Sequence, residues 1–148
     1  MKVMEVKATE WLERARPLFE ASYQEVMLHV GIPKPEINMP VFRQLDELGF
    51  ALALVALTTE DEIVGYTLSY MVPLFLYGGM NVMNNESLFV AQEHRGRASL
   101  QLIRETERAA KARGAARMQW HALPGTKADG LFARLGYKNF DSAWSKEI

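Results

Sequence analysis

Apolar and polar residues alternate along the chain in short patterns, each bounded by turn residues. "KVMEV", residues 2–6, alternates in part and predicts a strand. Thr9 is placed as a helix N-cap, because Trp11, Leu12, Ala15, Leu18, Phe19, Ser22, Tyr23 and Val26 follow it at helical spacing. Pro17 falls inside that pattern and predicts a kink or a break. The proline-rich "GIPKPEINMP" reads as a loop, and "PVFRQLDELG" as a short helix closed by Gly49.

The middle of the chain reads as strands. "FALALVALTT" is continuous enough in apolar residues to be covered on both faces. "IVGYTLSYMVPL" follows the turn "EDE", with Gly65 and Pro73 as its irregular positions. After the break at "YGGMN", "VMNNESLFVA" is a third strand. A helix then runs from about Ala98 to Arg113, with Leu102, Ile103, Thr106, Ala109 and Ala110 on one face. Glu107 and Lys111 have the spacing of an i,i+4 ion pair, and Gly114 closes the helix. "ARMQWHAL" is a strand, "KADGLFARLG" a helix stopped at Gly136, and "YKNFDSAWSKEI" a final strand. The order β-α-α-β-β-β-α-β-α-β predicts one α+β domain over residues 1–148. Its central sheet is mixed and mostly antiparallel, with helices on both faces.

Composition narrows the chemistry. The 148 residues suffice for a core without covalent staples. The absence of cysteine excludes disulfides, thiolate metal sites and a thiol nucleophile. No two histidines have metal-ligand spacing, so no metal is expected. The net charge of -1 gives no global attraction for nucleic acid. The basic residues cluster in one turn without interleaved aromatics, so no nucleic-acid partner is expected. "FALALVAL" and "MVPLFLYGGM" are too short to span a bilayer, and "MKVMEVKATE" is too polar for a secretory leader. The expectation is a cytoplasmic protein with no membrane partner. Trp11, Trp120 and Trp144 read as packing residues.

One junction carries a chemical signal. "EHRGRAS", residues 93–99, leads from an apolar strand straight into the long helix. The first N–H groups of a helix have no partner within it, and its dipole is positive there. Gly96 and Ala98 keep the turn small, Arg95 and Arg97 add charge, and Ser99 adds a hydroxyl. An anion such as a phosphate suits that end.

The stretch "ESLFVAQEHRGRASLQLIRETERAAKARGAARMQWHAL", with the later "LFARLGY", resembles the GNAT superfamily of acetyl-CoA-dependent N-acetyltransferases, and its small bacterial and phage members in particular. Val90 stands five residues before Arg95, and the predicted element order fits that fold along nearly the whole chain. Counted from Arg95, Ala98 and Leu100 occupy the fourth and sixth positions of a turn that in the family is usually Arg/Gln-x-x-Gly-x-Gly/Ala.

The resemblance implies acetyl transfer from acetyl-CoA to a small-molecule or peptide amine. Phe89, Val90, Arg95, Gly96, Arg97, Ala98, Ser99 and Leu100 would hold the cofactor, and the Val90 N–H would serve as oxyanion donor. Glu86 is the candidate base. It lies four residues before Val90, on the same face if no bulge intervenes, with Asn84 there to orient a water. Glu25, Tyr77 and His121 are candidates to line the amine site, and His121 could act as a base. Phe132 takes the position where the family often has an acidic tyrosine, and Tyr137 is the candidate substitute. Phe132 and Leu100 also fit a catalytically weak acyl-CoA-binding or regulatory module of the same fold. The segments "HVGIPKPEINMP" and "PLFLYGGMNVMN" would frame the pocket. Their only charges are Lys34 and Glu36, beside His29, which does not favour a polycationic amine. A homodimer is common in the family, though no residue here indicates one.

Overall fold

The computed structural model describes residues 1–148. Five strands form one sheet in the order β1-β2-β3-β4-β5: β1 Lys2–Val6, β2 Ala51–Leu57, β3 Ile63–Leu74, β4 Met80–Val90 and β5 Arg117–Gln119. The first three pairings are antiparallel and β4–β5 is parallel. The helices are α1 Ala8–Trp11, α2 Arg16–Ser22, α3 Met39–Glu47, α4 Arg97–Ala112 and α5 Lys127–Arg134. This is the mixed, mostly antiparallel α+β architecture expected.

β2 shows why its sequence is apolar throughout. All seven of its residues are buried. Ala51, Ala53, Val55 and Leu57 join one core with Ala8, Trp11, Leu12 and Ala15 from the α1 side. Leu52, Leu54 and Ala56 join a second core with Ala98, Leu102, Ala109 and Ala110 of α4. A strand covered on both faces has no polar face to present. The buried face of α4 is the one its spacing predicts, and Thr106 on it hydrogen-bonds Thr67 of β3 at 2.8 Å.

The first helical region differs from expectation in its cap. Pro17 does mark a break: α1 ends at Trp11 and α2 begins at Arg16, with the proline in its first turn. The chain continues into a π turn, Tyr23–Met27, and a 3-10 turn, Leu28–Val30. Thr9 is not the N-cap, because α1 starts at Ala8 and Lys7 supplies no capping side chain. Asp46 of α3 does this instead. It accepts from the Ala8 and Thr9 N–H groups at 3.1 and 3.0 Å and from Thr9 Oγ1 at 2.9 Å. A carboxylate there satisfies orphan donors and faces the positive helix end. Asp46→Ala is therefore expected to lower stability by about 1–2 kcal/mol in urea unfolding.

The expected last strand does not form. Residues from Tyr137 to the end have no regular structure, and Trp144 is 95% exposed rather than packed. A sixth strand would need a long neighbour, and β5 offers only three paired residues. The expected Glu107–Lys111 pair is also absent, because the Glu107 carboxylate accepts the Tyr137 hydroxyl proton instead.

Candidate active site

β4 carries the centre of the site, and its register is broken at one residue. Ser87 pairs with Leu68 and Asn85 with Ser69, so Glu86 is the extra residue of a β-bulge. The expectation that Glu86, Asn84 and Val90 share a face is overturned, since one inserted residue reverses the alternation beyond it. Val90 faces the α4 core, whereas Asn84, on the other side of the bulge, pairs with Tyr70. Glu86 itself is exposed and joins none of the ion pairs.

Asn85 holds the bulge open. It is only 2% exposed. Its Nδ2 lies 3.1 Å from the Leu68 carbonyl, 3.1 Å from the Ser87 carbonyl and 3.2 Å from Ser69 Oγ, replacing the ladder bonds the bulge removes. Sequence reasoning missed this residue. Its signal is the run Asn84-Asn85-Glu86-Ser87, four polar residues in succession where strand alternation would set every second one apolar.

Past the bulge, β4 has one free edge. Its parallel pairing with β5 covers Val82, Met83 and Asn84 and then stops. On the β3 side the Ala91 N–H bonds the Val64 carbonyl at 2.9 Å. Antiparallel pairing alternates, so the N–H and C=O groups of Val90 and Leu88 turn the other way, toward the open edge. The Val90 carbonyl is taken there by Arg95 Nε at 2.9 Å. The Val90 N–H expected as an oxyanion donor faces this edge. So does the Leu88 N–H, nearer the point where the strands part.

The open edge runs into the start of α4. Gly96 is the N-cap residue, at φ 91° and ψ −98°, a backbone shape open to glycine and strained for other residues. With no side chain at Gly96, the first helical N–H groups are not capped by it. Arg97 is exposed and forms no ion pair, and Ser99 is half-buried. The Ala98 side chain belongs to the core rather than the turn, and Leu100 is half-buried beside it.

Arg95 is placed differently from a free phosphate ligand. Its guanidinium pairs with Glu25 at 2.5 Å and lies 5.4 Å from the centre of the Phe89 ring. Two residues expected in separate roles, one toward the cofactor and one toward the amine, are thus joined. The pair ties the π turn to the end of β4.

A second cluster forms where β4 and β5 part. Asn84 Nδ2 donates to Tyr70 Oη at 2.8 Å, and Asn84 Oδ1 lies 3.0 Å from His121 Nε2. On the other face, Trp120 Nε1 donates to Tyr137 Oη at 2.8 Å, and the Trp120 ring stacks on Phe132 at 5.3 Å. Burial, then the hydrogen bond to Glu107, push the Tyr137 hydroxyl well above its ordinary value. The hydroxyl expected to protonate a leaving thiolate instead points its hydrogen at Glu107. Tyr77 lies at the β3–β4 hairpin tip, beyond Met80, so the length of β4 (about 30 Å at strand rise) separates it from the Gly96 turn.

No three His, Asp or Glu side chains are grouped to hold a metal, and no helix is long and apolar enough to cross a membrane. Many solved structures are similar in fold to this chain, three of them as follows. An aminoglycoside acetyltransferase from an uncultured soil metagenomic sample is 22% identical, with 99% of this chain and 97% of that one covered and a TM-score of 0.77. A transcriptional regulator from Bacillus halodurans C-125 is 21% identical over 99% and 100% of the two chains, TM-score 0.75. A ribosomal-protein-alanine N-acetyltransferase from Brucella melitensis biovar Abortus 2308 is 18% identical over 100% of both, TM-score 0.70. A search of the curated proteins gives no match. The sequence profile of the Acetyltransferase (GNAT) family matches residues 8–137, which span the bulged strand, its open edge and the Gly96 turn, and the chain belongs to that family.

Proposed function

We propose that the protein transfers an acetyl group from acetyl-CoA to a primary amine by direct attack within a ternary complex. The observation that carries this reading is the free edge of β4, which leads through the short 3-10 turn Gln92–His94 to the start of α4. Acetyl-CoA has the matching parts: an anionic pyrophosphate, an extended arm with two amides, and a thioester as acyl donor. Backbone N–H groups at the start of α4, with Arg97 and the Ser99 hydroxyl, would hold the pyrophosphate. The Val90 N–H would pair with the arm as a neighbouring strand does. From Ala91 back to Asn84 the strand covers about 20 Å, the reach of an extended pantetheine arm. The thioester then lies near the parting of β4 and β5. There the Leu88 N–H, with Val90 beyond it, is placed to stabilise charge on the carbonyl oxygen. Glu86, exposed at the bulge, would attract an amine arriving as a cation. The Arg95–Glu25 pair braces the amine side rather than contacting phosphate.

A catalytically weak acyl-CoA-binding module of the same fold is the second reading. Phe132 has no proton to donate and that of Tyr137 is bound to Glu107, which favours it. Calorimetric titration with acetyl-CoA tests both readings. Saturable one-to-one binding is expected, weakened about five- to tenfold in Arg97→Ala, on the scale of one charged phosphate contact. Release of free thiol with a panel of amines supports the enzyme, and binding without release supports the module. No binding at millimolar acetyl-CoA overturns both.

A further inference from the structure

We propose that His121 is the proton acceptor of this acetyl transfer, with Asn84 and Tyr70 as its positioning residues; the inference rests on the acetyltransferase reading. The argument starts from an amide. Asn84 donates its Nδ2 hydrogen to the Tyr70 hydroxyl at 2.8 Å, which turns Oδ1 toward His121. Oδ1 has no hydrogen to give, so with the amide in this orientation the 3.0 Å contact assigns the hydrogen to His121 Nε2. The lone pair of the neutral ring is then on Nδ1. When Nδ1 takes a proton, Nε2 remains a donor and the bond to Asn84 persists. The ring therefore keeps its orientation in both protonation states, as a proton acceptor in a fixed geometry requires.

Position supports the same role. Asn84 is the last residue of β4 paired with β5, and His121 follows Gln119, its partner, by two residues. His121 thus stands at the parting of the strands, where the open edge of β4 begins. Its ring is exposed, so an amine can reach it. Glu86 is exposed too, but no hydrogen bond aims its carboxylate. Neither Phe132 nor Tyr137 supplies a proton to sulfur, so a group that receives one and returns it completes the reaction.

The step balances as follows. An amine arriving as a cation first gives one proton to water; the neutral nitrogen then forms a bond to the acyl carbon, and a second proton passes from it to His121 Nδ1. The carbon–sulfur bond breaks with its electron pair on sulfur. The proton on Nδ1 then passes to the thiolate, leaving an amide, a thiol and neutral His121.

The test uses the full chain with acetyl-CoA and the best amine found. His121→Ala is expected to bind acetyl-CoA within twofold of the wild type and to lose about a hundredfold in kcat, at the lower end for a general base. Imidazole added to the buffer is expected to restore part of kcat in His121→Ala and none in the wild type. Asn84→Ala is expected to lower kcat as well, and to add nothing in the His121→Ala background. Nitrogen NMR of the wild-type ring at high pH is expected to show the hydrogen on Nε2. A wild type that turns over while His121→Ala keeps full kcat, or a ring with its hydrogen on Nδ1, overturns the assignment and leaves the acetyltransferase reading standing. A wild type that does not bind acetyl-CoA overturns both.

Discussion

Asn85→Leu is expected to lower the unfolding free energy by about 2–4 kcal/mol and to abolish most acetyl transfer, with the fold otherwise retained. The side chains share the same branching and number of heavy atoms, so the change removes hydrogen bonding more than shape. The Leu68 and Ser87 carbonyls would lose the donor that the bulge denies them, and both lie beside a residue only 2% exposed. A buried acceptor left unpaired costs about 1–3 kcal/mol. The chain's alternative is to close the bulge and slip β4 by one residue. That would exchange the faces of the strand on one side of Glu86 and force Phe89 and Val90 out of the cores each now fills. Urea unfolding reads the stability loss and thiol release reads the activity. An Asn85→Leu protein of wild-type stability and activity would show that Asn85 does not hold the bulge.

The second large effect is expected from Gly65→Ala in β3, roughly 1–3 kcal/mol of destabilisation together with a fall in acetyl transfer. A Cβ at Gly65 would lie 2.9 Å from Val90 Cγ2, 3.1 Å from the Phe89 carbonyl oxygen and 3.2 Å from Leu102 Cδ1. Leu102 can change rotamer, but the Phe89 oxygen belongs to the backbone facing β3 and can yield only by disturbing the ladder. The displaced segment carries the Leu88 and Val90 N–H groups of the open edge. The prediction is therefore for lost kcat in the fraction that remains folded. Thermal unfolding and turnover measured side by side check it, and unchanged turnover in a destabilised protein would separate packing at Gly65 from the geometry of the edge.

Part of the site was legible in the residue order. The Gly96 turn stood out because a small residue, two arginines and a helix start lie within one short segment, and its backbone does need glycine. The α4 face and the continuous burial of β2 followed from periodicity alone. The bulge was half-legible: four polar residues in a row, Asn84 to Ser87, break the alternation of the strand, yet nothing nearby says which residue is left unpaired. The Arg95–Glu25 pair joins residues 70 apart, and Asp46 caps a helix 38 positions away, so neither is written in a local pattern. The last strand failed for the converse reason. Its alternation is local, but a strand forms only where a neighbour offers a ladder.

By itself, the amino-acid order determined the succession of elements as far as α5, the glycine turn before α4 and the absence of a cysteine thiol. Those depend on side chains within a few residues of one another, where backbone preference and periodicity operate. The tertiary structure alone decided which edge of β4 stays open, that the Tyr137 hydroxyl donates its hydrogen bond to Glu107, and that Asn84 meets His121 across 37 positions. These depend on the register and packing of distant segments, and one unpaired residue at Glu86 changes which side chains share a face.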